Sequence, residues 1–190
     1  MKEDERYQVV EEAIDMAFQQ LVATQPPDKI SVRDVINRAG IARSTFYNHY
    51  VDMPSLIEAQ EDRSISRILA MMEDFHPTTQ EESLQHFFLS LCRYIEKDHF
   101  VAGLIKTPEA PDFIRKMLLM FHAYDAQIKQ VRYESEHFSE ENMYAIAYAI
   151  GGALGVLHKW TSDSLDMSPV TIATYLAHIF SEGVLKYIEW

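Results

Sequence analysis

The sequence predicts an all-α protein, and two observations carry this prediction. Apolar residues recur at intervals of three and four along most of the chain, which is the spacing of an amphipathic helix. No segment alternates apolar and polar residues as a half-buried strand does, and the Asn-Gly and Asp-Gly pairs that favour hairpins are absent. We therefore expect about nine helices, with a small three-helix domain first and a larger helical domain after it.

Composition narrows the class of protein. Of the 190 residues, 47% are hydrophobic and 24% are charged, which is ordinary for a folded protein and excludes a mostly disordered chain. The single cysteine, Cys92, leaves no internal disulfide and no cysteine-rich zinc site. The first residues lack the apolar segment of a signal peptide, and no stretch approaches the roughly 18 apolar residues of a membrane span. These features predict a cytoplasmic protein without a metal or other cofactor.

The charge is unevenly distributed along the chain. A net charge of −12 argues against nucleic-acid binding for the chain as a whole, because proteins neutralise phosphates with lysine and arginine. Residues 29–50 depart from this balance, with four basic side chains and one acidic side chain, namely Lys29, Arg33, Arg38, Arg43 and Asp34. A basic segment in an otherwise acidic chain is a candidate phosphate-binding surface.

Prolines and capping residues separate the predicted helices. The first is expected from about Asp4 to Thr24, with an apolar stripe made of Val9, Ala13, Met16, Ala17, Phe18 and Leu21. Two short helices at about 32–39 and 43–50 follow, and Asp52 is a good N-cap for a long one. Later helices are expected after a capping box at Thr79 and Glu82, after a break that includes Gly103 and Thr107-Pro108, after Ser139, and after Ser168-Pro169.

The two short helices have the pattern of a helix-turn-helix. Ser31, with Asp34 three residues later, predicts an N-cap for the first, and Gly40 supplies the left-handed conformation that ends it. The side chains expected to face inward are Val32, Val35, Ile36 and Ala39 in the first helix and Ala42, Phe46 and Tyr50 in the second. The second helix then presents Arg43, Ser44, Tyr47 and Asn48 outward. Two helices joined by a short glycine-containing turn are the geometry of a helix-turn-helix.

These outward side chains suit DNA. Arg43 can reach a guanine edge or a phosphate, Asn48 can pair with adenine, and hydroxyl and imidazole groups can bond phosphates. The candidate DNA-binding residues are Ser31, Arg33, Arg43, Ser44, Thr45, Tyr47, Asn48 and His49. The alternative interpretation is two short helices of a helical bundle with solvated arginines.

The run from Ile30 to Leu56 resembles the signature of the TetR family, through the Ala39-Gly40 turn, the Thr45-Phe46-Tyr47 core and the aromatic Tyr50. The resemblance implies a DNA-binding transcriptional regulator that acts as a homodimer, with a DNA-binding domain at 1–52 and a regulatory and dimerisation domain at 53–190. It also implies a small-molecule or protein effector. We expect a repressor rather than an activator.

Within the family, the segments STFYNHY and YAIGGALGVLHKW are similar to a subgroup that includes activators of dihydroxyacetone-kinase operons. Three residues depart from the family pattern. Ile36 stands where a small alanine is usual, Ala42 replaces the usual serine N-cap, and Met53 replaces a lysine that touches phosphate. A lost N-cap is worth about 1 kcal/mol in typical helices.

The last two predicted helices are candidates for the dimer interface. Ala147, Gly151 and Gly155 follow at four-residue spacing, so one edge of the penultimate helix is nearly bare backbone that another helix can approach closely. The last helix offers a partner face made of Ile172, Leu176, Ile179, Phe180, Gly183 and Val184. Close packing of these helices within one chain is the alternative.

The aromatic and methionine residues of the second domain are candidates for an effector pocket. They are Phe87, Phe88, Leu91, Tyr94, Met117, Phe121, Tyr124, Met143, Tyr144 and Tyr148, and the alternative for each is ordinary core packing. An enzyme is not expected, because the H-E-x-x-H and G-x-S-x-G patterns and a glycine-rich phosphate loop are absent. His178 and Glu182 have the spacing of metal ligands, which is usually incidental. The remaining rival is a non-enzymatic helical ligand carrier or protein-binding module.

Overall fold

All regular structure in the described part of the chain is helical. The computed structural model describes residues 3–73, 80–106, 115–116, 119 and 140–184. Within these ranges it contains eight α-helices and no strand. They are α1 (Glu3–Val22), α2 (Val32–Ala39), α3 (Arg43–His49), α4 (Met53–Glu73), α5 (Gln80–Lys97), α6 (His99–Lys106), α7 (Glu140–Ser162) and α8 (Pro169–Ile179). The all-α prediction is confirmed.

The chain forms two compact units. The first consists of Met1–Ser64 with Asp98–Gly103, and the second of Ile65–Lys97 with Leu104–Trp190. The division therefore falls inside α4, between Ser64 and Ile65. The functional boundary expected at residues 52 and 53 stays a prediction.

The first unit is built on one face of α1. Ile14, Ala17, Phe18 and Leu21 are buried there, and Phe18 packs edge to face on Phe100 with ring centroids 5.4 Å apart. Their spacing of three and four residues defines a single helical face. The predicted stripe was wrong at two positions, which a turn of about 100° per residue places on the opposite face. These are Val9 and Met16, which are 55% and 61% exposed.

The second unit is organised around α5 and α8. These two helices pack against each other and bury Leu84, Phe88 and Leu91 on α5 with Ile172 and Leu176 on α8. A π-helical turn, Phe180–Val184, extends α8. It places the Phe180 ring 6.0 Å from that of Phe88.

Helix α6 corrects the predicted break around Gly103. The carboxylate of Asp98 accepts hydrogen bonds from the N–H groups of Phe100 and Val101, each at 3.1 Å, and so caps a new helix. Phe100, Val101 and Ile105 are buried. Burying three large side chains outweighs the roughly 1 kcal/mol that a glycine costs inside a helix. The capping box at Thr79 and the helix expected after Pro108 fall outside the described residues.

Burial also governs the chemistry of Cys92. Its thiol is fully buried on α5, and desolvation, with a smaller contribution from Glu96, raises its pKa to about 12. Because the pKa in the folded state exceeds the ordinary cysteine value of 9.0, the protonated thiol favours folding. This contribution is complete below the unfolded pKa and is lost as the pH rises through the folded value.

We expect Cys92 to resist alkylation in the folded protein, because the thiolate is the reactive species and the side chain is shielded. Iodoacetamide at about pH 8 should leave the native thiol unmodified and should label it fully after addition of guanidinium. Mass spectrometry of the intact chain measures both. Labelling of the native protein as fast as that of the denatured protein would contradict this account.

Candidate nucleic-acid interface

Helix α2 begins with the capping box that the sequence predicts. The Ser31 hydroxyl accepts a hydrogen bond from the N–H of Asp34 at 3.3 Å, and the Asp34 carboxylate accepts one from the N–H of Ser31 at 2.9 Å. The same hydroxyl donates to the carboxylate at 2.6 Å. These bonds from Ser31 lower the pKa of Asp34. The cap therefore weakens as the pH falls through the folded pKa of Asp34.

Gly40 ends α2 and sets the turn. Its φ of 67° and ψ of 31° lie in the left-handed region, where glycine has no Cβ penalty. The N–H groups of Gly40 and Ile41 both donate to the carbonyl of Ile36, and the Ile41 side chain is half-buried. The predicted helix-turn-helix corner is confirmed in this detail.

Two aromatic residues anchor the inner face of helix α3. Phe46 is fully buried and Tyr50 is 7% exposed, as the sequence predicts. Ala42 was wrongly expected to face inward. It is exposed because it is the N-cap, with extended φ and ψ of −74° and 153°, and so precedes the helical face on which Phe46 lies. No side chain caps α3 at this end.

The outer face of α3 presents a polar edge. The exposed side chains are those predicted to face outward, namely Arg43, Ser44, Tyr47 and Asn48. The Arg43 guanidinium donates to the Tyr47 hydroxyl at 3.2 Å, and its Cζ atom lies 5.5 Å from the centre of the Tyr47 ring. The two longest side chains of this edge therefore form one unit. We call these four residues the α3 polar edge.

The other candidate residues lie around this edge. Ser31 and Arg33 are exposed at the start of α2, whereas Thr45 and His49 are half-buried. The His49 ring stacks on Tyr7 of α1, with centroids 3.9 Å apart and an interplanar angle of 26°. His49 Nδ1 is buried and has no hydrogen-bond partner among the residues that the structure describes. His49 thus contributes to holding α3 against α1.

A polar network that the sequence did not predict holds the end of α3. Arg63 of α4 donates to the Tyr50 hydroxyl at 3.0 Å, to Glu11 at 3.0 Å and to Asp15 at 2.8 Å. Tyr50 donates to Glu11 at 3.2 Å, and Gln60 donates to Asp15 at 2.6 Å. Burial raises the pKa of Tyr50 to about 12, against the opposing effect of Arg63. We call these five residues the Arg63 network. Its local signals are the four-residue spacing of Glu11 and Asp15 on α1 and the three-residue spacing of Gln60 and Arg63 on α4, which align residues on each helix but do not predict that the two helices meet.

The candidate pocket residues fall into separate groups. Phe88 and Leu91 are buried on α5, while Phe87 and Tyr94 are half-buried on the same helix. Arg67 of α4 lies over the Tyr94 ring, with its Cζ atom 6.0 Å from the centroid. Tyr144 and Tyr148, by contrast, are each 77% exposed on α7 and do not join the α5 group. Met117, Phe121, Tyr124 and the side chain of Met143 lie outside the described residues.

The candidate dimer residues are also divided. Ala147, Gly151 and Gly155 are exposed on α7, and a Cβ added at either glycine meets nothing within 4 Å. Tyr144 and Tyr148 lie on this same exposed face, by helical spacing. On α8, Ile172 and Leu176 are buried in the core of their own unit, because α5 covers them. Ile179 is 57% exposed, Phe180 is half-buried and Gly183 is exposed, while the side chain of Val184 lies outside the described residues.

Membrane spans and metal clusters are both absent from the described ranges. None of the helices there has both the length and the apolar character needed to cross a membrane. No group of three or more His, Cys, Asp or Glu side chains in those ranges is arranged to hold a metal ion.

The part of the chain that follows α4 decides its family. Residues 82–182, more than half of the chain, match the TetR-family model described as "Transcriptional regulator C-terminal region". The chain belongs to the TetR family of transcriptional regulators. The match lies outside residues 30–56, which carried the resemblance in the sequence, so two separate segments of the chain indicate the same TetR family. The suspected family is confirmed.

Solved structures of TetR-family regulators share the fold. A regulator from Streptomyces coelicolor superposes with a TM-score of 0.70 at 18% identity, covering 96% of this chain and 81% of that one. The dihydroxyacetone kinase operon activator DhaS gives 0.60 at 16% identity, covering 95% and 98%. FadR from Bacillus subtilis, in complex with stearoyl-CoA, gives 0.60 at 14% identity, covering 93% and 98%. Comparison with curated protein sequences finds no match.

Exchanges between serine and alanine at the N-caps of α2 and α3 should change the free energy of unfolding in opposite directions. Ser31→Ala removes a capping hydroxyl and should lower the free energy of unfolding by about 1 kcal/mol. Ala42→Ser supplies a hydroxyl to the N–H groups at the start of α3 and should raise it by up to about 1 kcal/mol. Urea unfolding of both variants measures these changes, and a destabilised Ala42→Ser variant would show that the extended backbone at this position does not act as an N-cap.

Proposed function

We propose that this TetR-family regulator binds operator DNA as a homodimer, with α3 in the major groove. The observation that carries the proposal is the α3 polar edge, held outward by the burial of Phe46 and Tyr50. An arginine, a serine, a tyrosine and an asparagine on one face of a helix supply the donors and acceptors that read base edges and phosphates. In this proposal residues 1–52 form the DNA-binding domain, and residues 53–190 form the regulatory and dimerisation domain.

Individual roles follow from position and exposure. Arg43 and Asn48 are placed to contact bases, while Ser44 and Tyr47 bond phosphates or bases beside them. Ser31 and Arg33, exposed at the start of α2, contact the phosphate backbone. Thr45 and His49 are half-buried, and each contributes one polar atom to the contacts with the same phosphate backbone. The basic balance of residues 29–50 supports this assignment, because counterion release from phosphates supplies much of the affinity of such interfaces.

Dimerisation uses the exposed face of α7. Tyr144, Ala147, Tyr148, Gly151 and Gly155 offer aromatic side chains beside bare backbone, so a partner helix can approach closely. Exposed Tyr175 and Ile179 of α8 extend the surface. A twofold dimer would place two α3 helices about 34–36 Å apart, or at a multiple of that distance, as successive major grooves require.

Regulation is proposed to come from an apolar or amphipathic effector. The α5 group of Phe87, Phe88, Leu91 and Tyr94 offers apolar and aromatic surface, and FadR from Bacillus subtilis is described in complex with stearoyl-CoA. An effector shifts the dimer away from its DNA-competent state only by its differential affinity for the two states.

We further propose that the dimer represses. Repression needs only occupancy of a site that overlaps a promoter, whereas activation needs a second surface for the transcription machinery. DhaS is described as an activator. The position of the operator relative to the promoter therefore decides between repression and activation. Reporter transcription from that promoter, with and without the regulator, measures it.

The DNA-binding proposal is tested with DNA from upstream of the chain's own gene. Arg43→Ala should weaken specific binding by about 1–3 kcal/mol and relax the preference over scrambled DNA, because Arg43 reads a base. Arg33→Ala should weaken both DNAs alike and reduce the salt slope by about 1, because Arg33 contacts phosphate. Fluorescence anisotropy over a salt series measures both changes.

Arg93→Ala is the matched control, since Arg93 is an exposed arginine of the second unit. It should leave both affinity and slope unchanged. A folded wild-type protein that binds no duplex at low salt would overturn the proposal and would favour the ligand-carrier alternative.

The dimer surface gives a separate prediction. Because the space beside Gly155 is open within the chain, Gly155→Leu should fold normally but weaken the dimer at least tenfold, equivalent to about 1.4 kcal/mol. Gly155→Ala, a smaller change at the same place, should weaken it less. Sedimentation equilibrium measures association and circular dichroism monitors folding. An unchanged dimer in the leucine variant would exclude this face.

A further inference from the structure

The interactions of the Arg63 network are made within the protein and not with a ligand. The Arg63 side chain is only 32% exposed, and its Nε atom is buried without a hydrogen-bond partner among the described residues. Its terminal nitrogens donate to the carboxylates of Glu11 and Asp15 on α1 and to the hydroxyl of Tyr50. Two carboxylates beside one guanidinium leave a net negative charge there, which disfavours a DNA phosphate as a fourth partner.

The Tyr50 hydroxyl is the point at which this network reaches α3. Tyr50 is the C-cap of the helix, and its N–H donates to the carbonyl of Phe46 at 2.9 Å. Its ring also lies 5.8 Å from the ring of Phe46. A side chain that directly follows the last helical turn and is held at its far end therefore restricts rotation of the whole helix.

The opposite end of α3 has no comparable restraint. Ala42 provides no side-chain cap, and Arg43 is exposed. A helix of seven residues is not stable by itself, so its direction depends on the tertiary contacts at Phe46, His49 and Tyr50. Among these three, Tyr50 is the residue whose side chain forms hydrogen bonds to both α1 and α4.

We propose that Arg63 is a positioning residue for operator binding: by holding the Tyr50 hydroxyl between α1 and α4, it fixes the direction in which α3 presents its polar edge. The proposal rests on the proposed DNA-binding function. Arg63 itself touches no DNA in this proposal. Its effect is on the orientation of α3 and not on the contacts that α3 makes. Loss of the restraint lowers specific affinity because fewer dimers hold α3 in the binding direction.

The test compares four variants on upstream and scrambled DNA over a salt series. Tyr50→Phe removes only the hydroxyl and should weaken specific binding about tenfold, with the salt slope unchanged, because no phosphate contact is lost. Arg63→Met should weaken it by at least as much, and Arg63→Lys, which keeps the charge and can still donate, should recover part of the loss. Tyr7→Phe, which removes a hydroxyl from α1 and keeps the ring stacked on His49, should bind as the wild type does.

The double variant Tyr50→Phe with Arg63→Met separates positioning from independent effects. If Arg63 acts through Tyr50, the double variant binds no more weakly than Arg63→Met alone. Additive losses would overturn the proposal, and a lowered salt slope in Arg63→Met would show instead that Arg63 contacts phosphate. All affinities are measured at temperatures where circular dichroism shows each variant fully folded. If Arg63→Met does not fold, the test uses Tyr50→Phe and Arg63→Lys instead.

The outcome distinguishes failure of the positioning role from failure of the proposed function. If the wild-type protein binds upstream DNA selectively and Tyr50→Phe binds equally well, only the positioning role fails. If the folded wild-type protein binds no DNA, the proposed function fails, and the positioning role fails with it.

Discussion

Helix α3 has only seven residues, and its shortness is the constraint on which the rest of the first unit depends. An isolated helix of this length is not stable in water, so its conformation and direction come from the surfaces that bury it. Phe46 supplies the apolar contact, the stack of His49 on Tyr7 supplies a second, and the Arg63 network supplies a polar one. Because other residues stabilise the helix, the exposed residues of α3 are available for the proposed recognition of DNA.

The same division between buried and exposed positions applies to the second unit. In α8, Ile172 and Leu176 belong to the core with α5, so they are not free to form a surface for another subunit. In α7, glycines and two tyrosines lie on the exposed face. Glycine disfavours a helix by about 1 kcal/mol relative to alanine, and within the described residues no contact of the chain itself explains its presence there.

Local signals in the sequence were sufficient for the fold class and for most of the helix-turn-helix. The Ser31 and Asp34 cap, the Gly40 turn and the burial of Phe46 and Tyr50 each depend on residues within a few positions of one another. The Arg63 network joins residues separated by 13 to 52 positions on three different elements, and no local spacing encodes such a meeting. The break expected at Gly103 failed for a related reason, since burial of Phe100 and its neighbours overrides the local propensity of glycine.

The fully buried Cys92 has a practical consequence for work in solution. Since it is the chain's only cysteine and its thiol is shielded, it need not be removed before a second cysteine is introduced elsewhere. A cysteine placed at an exposed position of α3 or α7 would then be the one thiol that a maleimide reaches under native conditions. Fluorescent or spin labels attached in this way could measure distances between the two copies of a helix in the proposed dimer, and the core around Cys92 would remain as it is in the native chain.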